Sequence, residues 1–337
     1  MAGQDARIAL GTWPTPVERA PRLARALGLH SDDLLIKRDD LTGLGGGGNK
    51  IRKLEWTIGQ ALAQGADTIV TTGAPQSNHA RLTAAAAAKA GLAAVLVFPG
   101  QPGEPAAGNL VLDALFGARI VWAGQVDHDG LTTAAIQIAA SSPRSAVIPF
   151  GGSSPTGALG YLHAGEEIRR QVPDLANLVV ALGSGGTMAG LVAALGPEVV
   201  LGVHTGAVED PVRAVRDLLD GIAVDGIRAD GAPTPTSPRA VGTDDLRIRL
   251  DQVGAGYATQ TDAVADAMLL TARTEGVVLD PIYTGRAMAG LVAAVVDGTV
   301  RPGTRTVFLH TGGLPGLFGH PQALARAAAS PPGGNRS

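Results

Sequence analysis

Four consecutive glycines, Gly45 to Gly48, stand just before a lysine, Lys50. Such a run costs backbone entropy and stabilises no regular element, so it is expected where a ligand or another stretch of backbone comes close. Lys50 opens a predicted helix over 51–63. An amine at the positive end of a helix, partly buried, holds its proton weakly, which is what a lysine that forms a Schiff base requires. By itself the segment reads equally well as a solvated basic patch of Lys50, Arg52 and Lys53.

Gly73-Ala-Pro-Gln-Ser-Asn-His79-Ala-Arg81 lies between a predicted strand and a predicted helix. Ser77 or Asn78 can cap that helix, but not both. The spare polar group then sits at the carboxyl end of a strand, where doubly wound sheets bind ligands. His79 fits a packed core histidine as well as one that faces a substrate. Gly183-Ser184-Gly185-Gly186-Thr187 follows one strand directly and precedes a helix directly. Small residues there let backbone N–H groups converge at a positive helix end, and a single phosphate is the natural guest. The segment has neither the Gly-x-Gly-x-x-Gly spacing of dinucleotide loops nor the Gly-Lys-Ser/Thr of nucleoside triphosphate loops. Leu279-Asp-Pro-Ile-Tyr283-Thr284-Gly285 and Phe308-Leu-His-Thr311-Gly312-Gly313 add hydroxyls in loops beside the sheet. Each of these, singly, reads as capping or packing.

The elements that position these residues follow from the apolar pattern. Strands are predicted over 68–72, 94–98, 119–122, 146–150, 178–182, 199–203 and 306–310. Helices are predicted over 51–63, 77–90, 109–116, 158–171, 261–275 and 286–296, with a small-residue helix after Thr187. Continuous apolar strands alternating with helices imply parallel sheets covered on both faces. The expected fold class is α/β, with two open twisted, mostly parallel sheets. The Gly/Pro/Asp/Thr-rich stretch 225–245 reads as a surface excursion, and 329–337 as a disordered tail. There is no internal repeat.

A chain of 337 residues is too long for one small core and fits two compact lobes. With 3% aromatic residues, aliphatic side chains must fill most of that core. The net charge of −3 is spread along the chain without a basic stripe, which argues against a nucleic-acid partner. The absence of cysteine excludes disulfides and thiolate metal sites, and no metal is expected. Residues 1–8 lack an apolar signal core, and the Ala84 to Ala88 run is too short for a membrane span. A cytoplasmic protein with a small-molecule substrate is expected.

In this order and register, eight segments resemble the family of 1-aminocyclopropane-1-carboxylate deaminases and D-cysteine desulfhydrases. They are Lys37-Arg-Asp-Asp-Leu-Thr-Gly43, Gly48-Asn-Lys-Ile-Arg-Lys-Leu-Glu55, Gln76-Ser-Asn-His79, Gly108-Asn-Leu110, Gly151-Gly-Ser-Ser-Pro-Thr-Gly-Ala-Leu-Gly-Tyr161, Gly183 to Thr187, Asp280-Pro-Ile-Tyr-Thr-Gly285 and His310-Thr-Gly-Gly313. The resemblance covers about Leu10 to Pro321 and implies a pyridoxal 5′-phosphate enzyme of fold type II, like the tryptophan synthase β chain. It implies a Schiff base on Lys50, a hydrogen bond between Asn78 and the cofactor's ring hydroxyl, and a phosphate held by Gly183, Ser184, Gly185, Gly186 and Thr187. Ser77, Asn78, His79, Tyr257 and Tyr283 would meet the amino-acid substrate. A cofactor-binding lobe, 1–50 with 163–328, and a smaller lobe, 51–162, would close over it, in a homodimer.

Two positions bear on the branch. Ring-opening members of the family carry glutamate where this chain has Thr284, and usually leucine where it has Thr311. A carboxylate beside the pyridine nitrogen keeps it protonated and the ring strongly electron-withdrawing; a hydroxyl does not. The pair therefore resembles the desulfhydrase branch: α,β-elimination to keto acid, ammonia and sulfide, with Lys50 as base and Tyr283 or Tyr257 as proton donor. Other readings are a cysteate sulfo-lyase, a ring-opening deaminase, a β-substituting enzyme, or a non-catalytic homologue that binds cofactor or amino acid. The chain departs from the family at Gly45 and Gly46, Pro75, Gly256-Tyr257-Ala-Thr-Gln260 and Val203-His204-Thr205-Gly206, several of which are expected to line the substrate side.

Overall fold

The computed structural model describes residues 7–103, 107–225, 242, 245–257 and 259–329. Among them run the strands β1 (Val17–Arg19), β2 (Leu34–Arg38), β3 (Thr68–Thr72), β4 (Ala93–Phe98), β5 (Arg119–Trp122), β6 (Ser145–Ile148), β7 (Leu175–Leu182), β8 (Val200–His204), β9 (Arg247–Arg249) and β10 (Arg305–His310). One sheet has the order β1-β2-β10-β7-β8-β9, with β1 antiparallel to β2 and the other pairings parallel. The other has the order β5-β4-β3-β6 and is wholly parallel. This is the α/β architecture that the apolar pattern implies. The predicted excursion over 225–245 and tail over 329–337 lie almost wholly outside the described residues. No helix among the described residues is long and apolar enough to cross a membrane.

The inner strands of each sheet, β3, β4, β7, β8 and β10, are buried on both faces, which is why they read as unbroken apolar runs. On β7, Leu178, Val180 and Leu182 pack with Tyr161, Ile168, Met188 and Leu191, while Val179 and Ala181 pack with Val264, Met288 and Leu291. On β3, Ile69 joins Ile51, Leu54, Ile58 and Leu82, and Val70 joins Leu131 and Ala135. Each such fully buried aliphatic side chain stabilises the fold by about 1.5–3 kcal/mol.

The strands that the pattern misses have a common cause. β1 and β9 are three-residue edges of polar composition. β2 ends in Lys37 and Arg38, yet Lys37 is completely buried. The strand predicted over 146–150 ends at Ile148 because Pro149 lacks an N–H for the ladder and Phe150–Gly152 turns at Gly151, whose φ is +66°.

The helix Pro155–Gln171 opens with proline, and Ser154 caps it through Gly157 N at 3.0 Å. Its buried residues Ala158, Tyr161, Leu162, Ala164 and Ile168 belong to the core of the six-stranded sheet. The expected lobe boundary at 162 therefore cuts a helix whose apolar face serves that sheet; Ser154 precedes the whole element.

One charged cluster ties the two halves together. Arg52, on the helix Lys50–Ala63, donates to Asp39 Oδ2 at 2.8 Å and Oδ1 at 2.9 Å, and to Glu167 Oε2 and Oε1, both at 3.0 Å. Tyr161 donates to Asp39 Oδ2 at 2.6 Å and Thr15 to Oδ1 at 2.7 Å. Lys37 reaches Glu167, Gln171 and the Thr15 carbonyl, and Trp13 covers the Arg52 guanidinium at 4.1 Å. Burial pushes the Asp39 carboxyl up, but Arg52, Tyr161 and Lys37 outweigh it and hold it below the usual range. Removing one member strands a buried charge. Asp39→Ala is expected to lower the stability by about 3–5 kcal/mol in urea unfolding; a loss below about 1 kcal/mol would show that water replaces the carboxylate.

Candidate active site

The glycine run is needed by the protein's own backbone. A Cβ on Gly47 would lie 1.9 Å from the Asp40 carbonyl oxygen, at a φ of +74°. One on Gly48 would lie 3.2 Å from the Thr311 carbonyl oxygen, at +132°. The loop thus folds back on the exit of β2 and brushes the exit of β10. Asn49 continues the tie, its N–H on Thr311 O at 3.0 Å and its Nδ2 on Thr187 Oγ1 at 3.1 Å. Lys50 is delivered between the carboxyl ends of β10 and β7.

Lys50 Nζ has no hydrogen-bond partner among the described residues. Burial lowers its pKa to about 8, with the Asp280 carboxylate opposing part of the shift. Lys53, one turn on, is buried too, and burial together with Lys50 holds it well below its ordinary value. Arg52 lies in the charged cluster. The solvated-patch reading therefore fails for these three residues.

The loop Gly183–Thr187 leads from β7 into the helix Gly186–Leu195. A Cβ on Gly186 would lie 2.7 Å from Ser153 Oγ and 2.9 Å from Lys53 Nζ, and one on Gly183 would lie 3.1 Å from the Tyr283 ring. Lys53 Nζ donates to Ser153 Oγ at 3.1 Å and to Gly151 O at 3.2 Å. The Ser153 and Ser184 hydroxyls are 2.8 Å apart. Backbone N–H groups at a helix start, two hydroxyls and an amine so converge in a cradle that only glycine leaves open.

A cavity is lined by Lys50, Ser77, Asn78, His79, Gly183, Ser184, Gly185, Thr187, Tyr283 and Thr311 of the expected residues. Lys53, Asn49, Phe150 and Gly151 join the wall without having been singled out as ligands from the sequence. The buried i, i+3 spacing of Lys50 and Lys53 on one helix is the signal that would have found Lys53.

Ser77 is the cap of the helix Asn78–Ala90, accepting from Ala80 N at 3.1 Å, and Asn78 is the spare group. His79 has both ring nitrogens engaged by threonines. Thr71 Oγ1 donates to Ile148 O at 2.7 Å, so it accepts from His79 Nε2 at 2.8 Å, which fixes the proton on Nε2. Burial, Lys50 and Lys53 hold this ring well below its usual pKa, hence neutral.

Three expected residues lie outside the wall. Gly186 sits beneath it in the first helical turn. Tyr257 is reached through Tyr283, their hydroxyls 2.5 Å apart. The Thr284 hydroxyl is fully committed, donating to Asp280 Oδ1 at 2.7 Å and accepting from Asp280 N at 2.8 Å. Thr311 instead faces the cavity with no partner for its hydroxyl among the described residues. The unusual His204 and Thr205 are also outside, bonded to Val208 O and Leu182 O, and Gly45 and Gly47 turn their carbonyls to Arg81.

A buried amine of lowered pKa beside a phosphate-sized cradle is the chemistry that a pyridoxal phosphate enzyme needs. The family model described as "Pyridoxal-phosphate dependent enzyme" matches residues 8–312. The chain belongs to this family. It is 41% identical to the D-cysteine desulfhydrases of Salmonella schwarzengrund (strain CVM19633) and Salmonella choleraesuis (strain SC-B67), covering 93% of this chain and 96% of each relative. Among solved structures, an ACC deaminase homologue superposes with a TM-score of 0.82 at 37% identity, covering 95% of this chain and 96% of that one. The processed form of threonine deaminase isoform 2 from Solanum lycopersicum, at 18% identity and a TM-score of 0.63 over 89% of this chain and 83% of that one, shares the fold.

The cofactor of this pyridoxal-phosphate enzyme is tested most directly by its attachment. An amine with a pKa of about 8 is mostly neutral above that pH and loses its neutral fraction tenfold per unit below it. The rate at which the apoprotein gains a visible band on adding pyridoxal phosphate is expected to rise to about pH 8 and then level off. A rise that continues to about pH 10 would show an ordinary lysine.

Proposed function

We propose that the protein removes the β-substituent of a small, D-cysteine-like amino acid and releases keto acid, ammonia and sulfide. The observation that carries this reading is the wall of the cavity, in which the described residues supply amines, amides and hydroxyls but no carboxylate. With no carboxylate there to protonate it, the pyridine nitrogen stays neutral, which favours a reaction whose electron pair departs with a leaving group. The relatives named D-cysteine desulfhydrase support the same choice.

When bound, pyridoxal phosphate supplies an electron sink for the bonds at the α-carbon. Lys50 would hold it, and the neutral Lys50 amine would accept the α-proton of the bound amino acid. Gly183 to Thr187, with Lys53 and Ser184, would hold the phosphate. Ser77 Oγ accepts from Ala80 N and keeps its own proton to donate to the substrate carboxylate, with Asn78 and His79 beside it. Burial, then Tyr257, raises the Tyr283 phenol well above its ordinary pKa, so Tyr283 holds a proton for the departing sulfur. Tyr257 orients that hydroxyl. Thr311 would offer the ring its hydroxyl, and Thr284 would hold the Asp280 carboxylate in place. Residues 51–154 would close over the substrate against the rest of the chain. A cytoplasmic homodimer is carried over on the resemblance.

Purified protein is expected to be yellow and to form keto acid and sulfide from D-cysteine, with L-cysteine, L-cysteate and 1-aminocyclopropane-1-carboxylate much slower. Turnover of the cyclopropane at a comparable rate would overturn the elimination reading. Lys50→Ala should lose both the visible band and the activity, and activity retained by that variant would remove Lys50 from the scheme.

A further inference from the structure

Next to the cavity lies a buried cluster that the reaction scheme does not use. Arg81 is completely buried on the helix Asn78–Ala90, one turn beyond Asn78. Its guanidinium donates to the carbonyls of Gly45 and Gly47, to Asn109 Oδ1 at 3.1 Å, and in a longer bond to Asn78 Oδ1 at 3.4 Å. A guanidinium has only donors, so the amide atom that faces it must be oxygen. Arg81 therefore sets the orientation of both asparagines. Asn109, with Oδ1 on Arg81, turns Nδ2 to Asn78 Oδ1 at 3.0 Å and to Gln76 O at 2.8 Å. Gln76 in turn accepts from Asn109 N at 2.9 Å, which holds the pair in place. The Asn78 oxygen thus receives two donors. Its Nδ2 has no partner among the described residues and is the amide atom left for the cavity that Asn78 lines. The Asp113 carboxylate, buried with both oxygens unbonded, offsets the guanidinium charge without taking any of its N–H groups.

We infer that Arg81 and Asn109 are positioning residues that lock Asn78 as a hydrogen-bond donor, so that the cofactor atom it meets must be an acceptor such as an ionised ring oxygen. The inference rests on the reading that Asn78 meets the cofactor ring.

The test uses the holoenzyme and the variants Asn78→Ala, Asn109→Asp, Arg81→Lys and Asn78→Ala/Asn109→Asp. Asn109→Asp keeps an acceptor for Arg81 and replaces the amide group that donates to Asn78 and to the Gln76 carbonyl. The visible band of the bound cofactor is titrated with pH, with urea unfolding in parallel. A donor on the ring oxygen draws off its negative charge and lets the neighbouring Schiff-base proton leave more easily. Asn78→Ala is expected to raise the midpoint by about one pH unit, a tenfold change in proton affinity. Asn109→Asp and Arg81→Lys should move it the same way by about half a unit or more, and Asn109→Asp should add little to Asn78→Ala. If Asn78→Ala shifts the midpoint while Asn109→Asp leaves it unchanged, Asn78 meets the cofactor but is not positioned by this cluster, and the inference fails alone. A midpoint unmoved by Asn78→Ala removes Asn78 from the ring and sinks both. Asn109→Asp decides the matter if Arg81→Lys does not fold.

Discussion

The bidentate contact between Arg52 and Asp39 is the constraint on which the rest depends. Arg52 stands two residues after Lys50 on a helix whose apolar side serves the four-stranded sheet. Asp39 stands at the exit of β2 in the six-stranded sheet, and Glu167 sits on the helix that covers that sheet. Lys50 is therefore held by charges from the opposite half of the molecule. Buried ion pairs add little net stability, but removing one partner is costly, so such a cluster specifies one arrangement more than it strengthens it. That suits a site where an amine must stay in register with a phosphate cradle on another strand.

Around this anchor the site is organised by burial without compensation. Lys50 and Lys53 share one cavity; burial lowers the pKa of both, and Lys50 lowers that of Lys53 further. His79 stays neutral for the same reason. The carboxylates near the site are turned away. Asp280 is tied by Thr284 Oγ1 and by the N–H groups of Tyr283 and Thr284, and Asp113 lies behind Arg81. A wall of amines, amides and hydroxyls is a prepared host for an anionic cofactor, whose phosphate returns the missing negative charge.

Much of this was legible in the chain. The order of apolar runs implied parallel sheets with helices on both faces, because strands buried on both sides lose their alternation. The glycine loops marked the exits of β2 and β7, since only glycine adopts those backbone angles or leaves those spaces. Among the elements that escaped detection were the short polar edges β1 and β9, helices such as His128–Ala140 and Pro211–Asp225, and β2, where the buried Lys37 looks like surface until Glu167, Gln171 and Thr15 arrive from elsewhere in the chain.

By itself, the sequence determined the fold class and the family and singled out Lys50 and Gly183 to Thr187 as candidates, because local propensity, glycine placement and motif order are properties of neighbours in the chain. Tertiary structure alone decided that Lys53 joins the cradle, that Ser77 caps so that Asn78 is spared, and that Thr311 rather than Thr284 lends its hydroxyl to the cavity. It also decided that the glycines make room for backbone, that the helix at Pro155 belongs to the six-stranded sheet, and that Arg81 turns the amides of Asn78 and Asn109. Several of these depend on which donor meets which acceptor from far along the chain, as Lys53 with Ser153 and Arg81 with Asn109, or on which face of a helix is buried. Such pairings are settled by packing in three dimensions and leave no periodic mark on the chain.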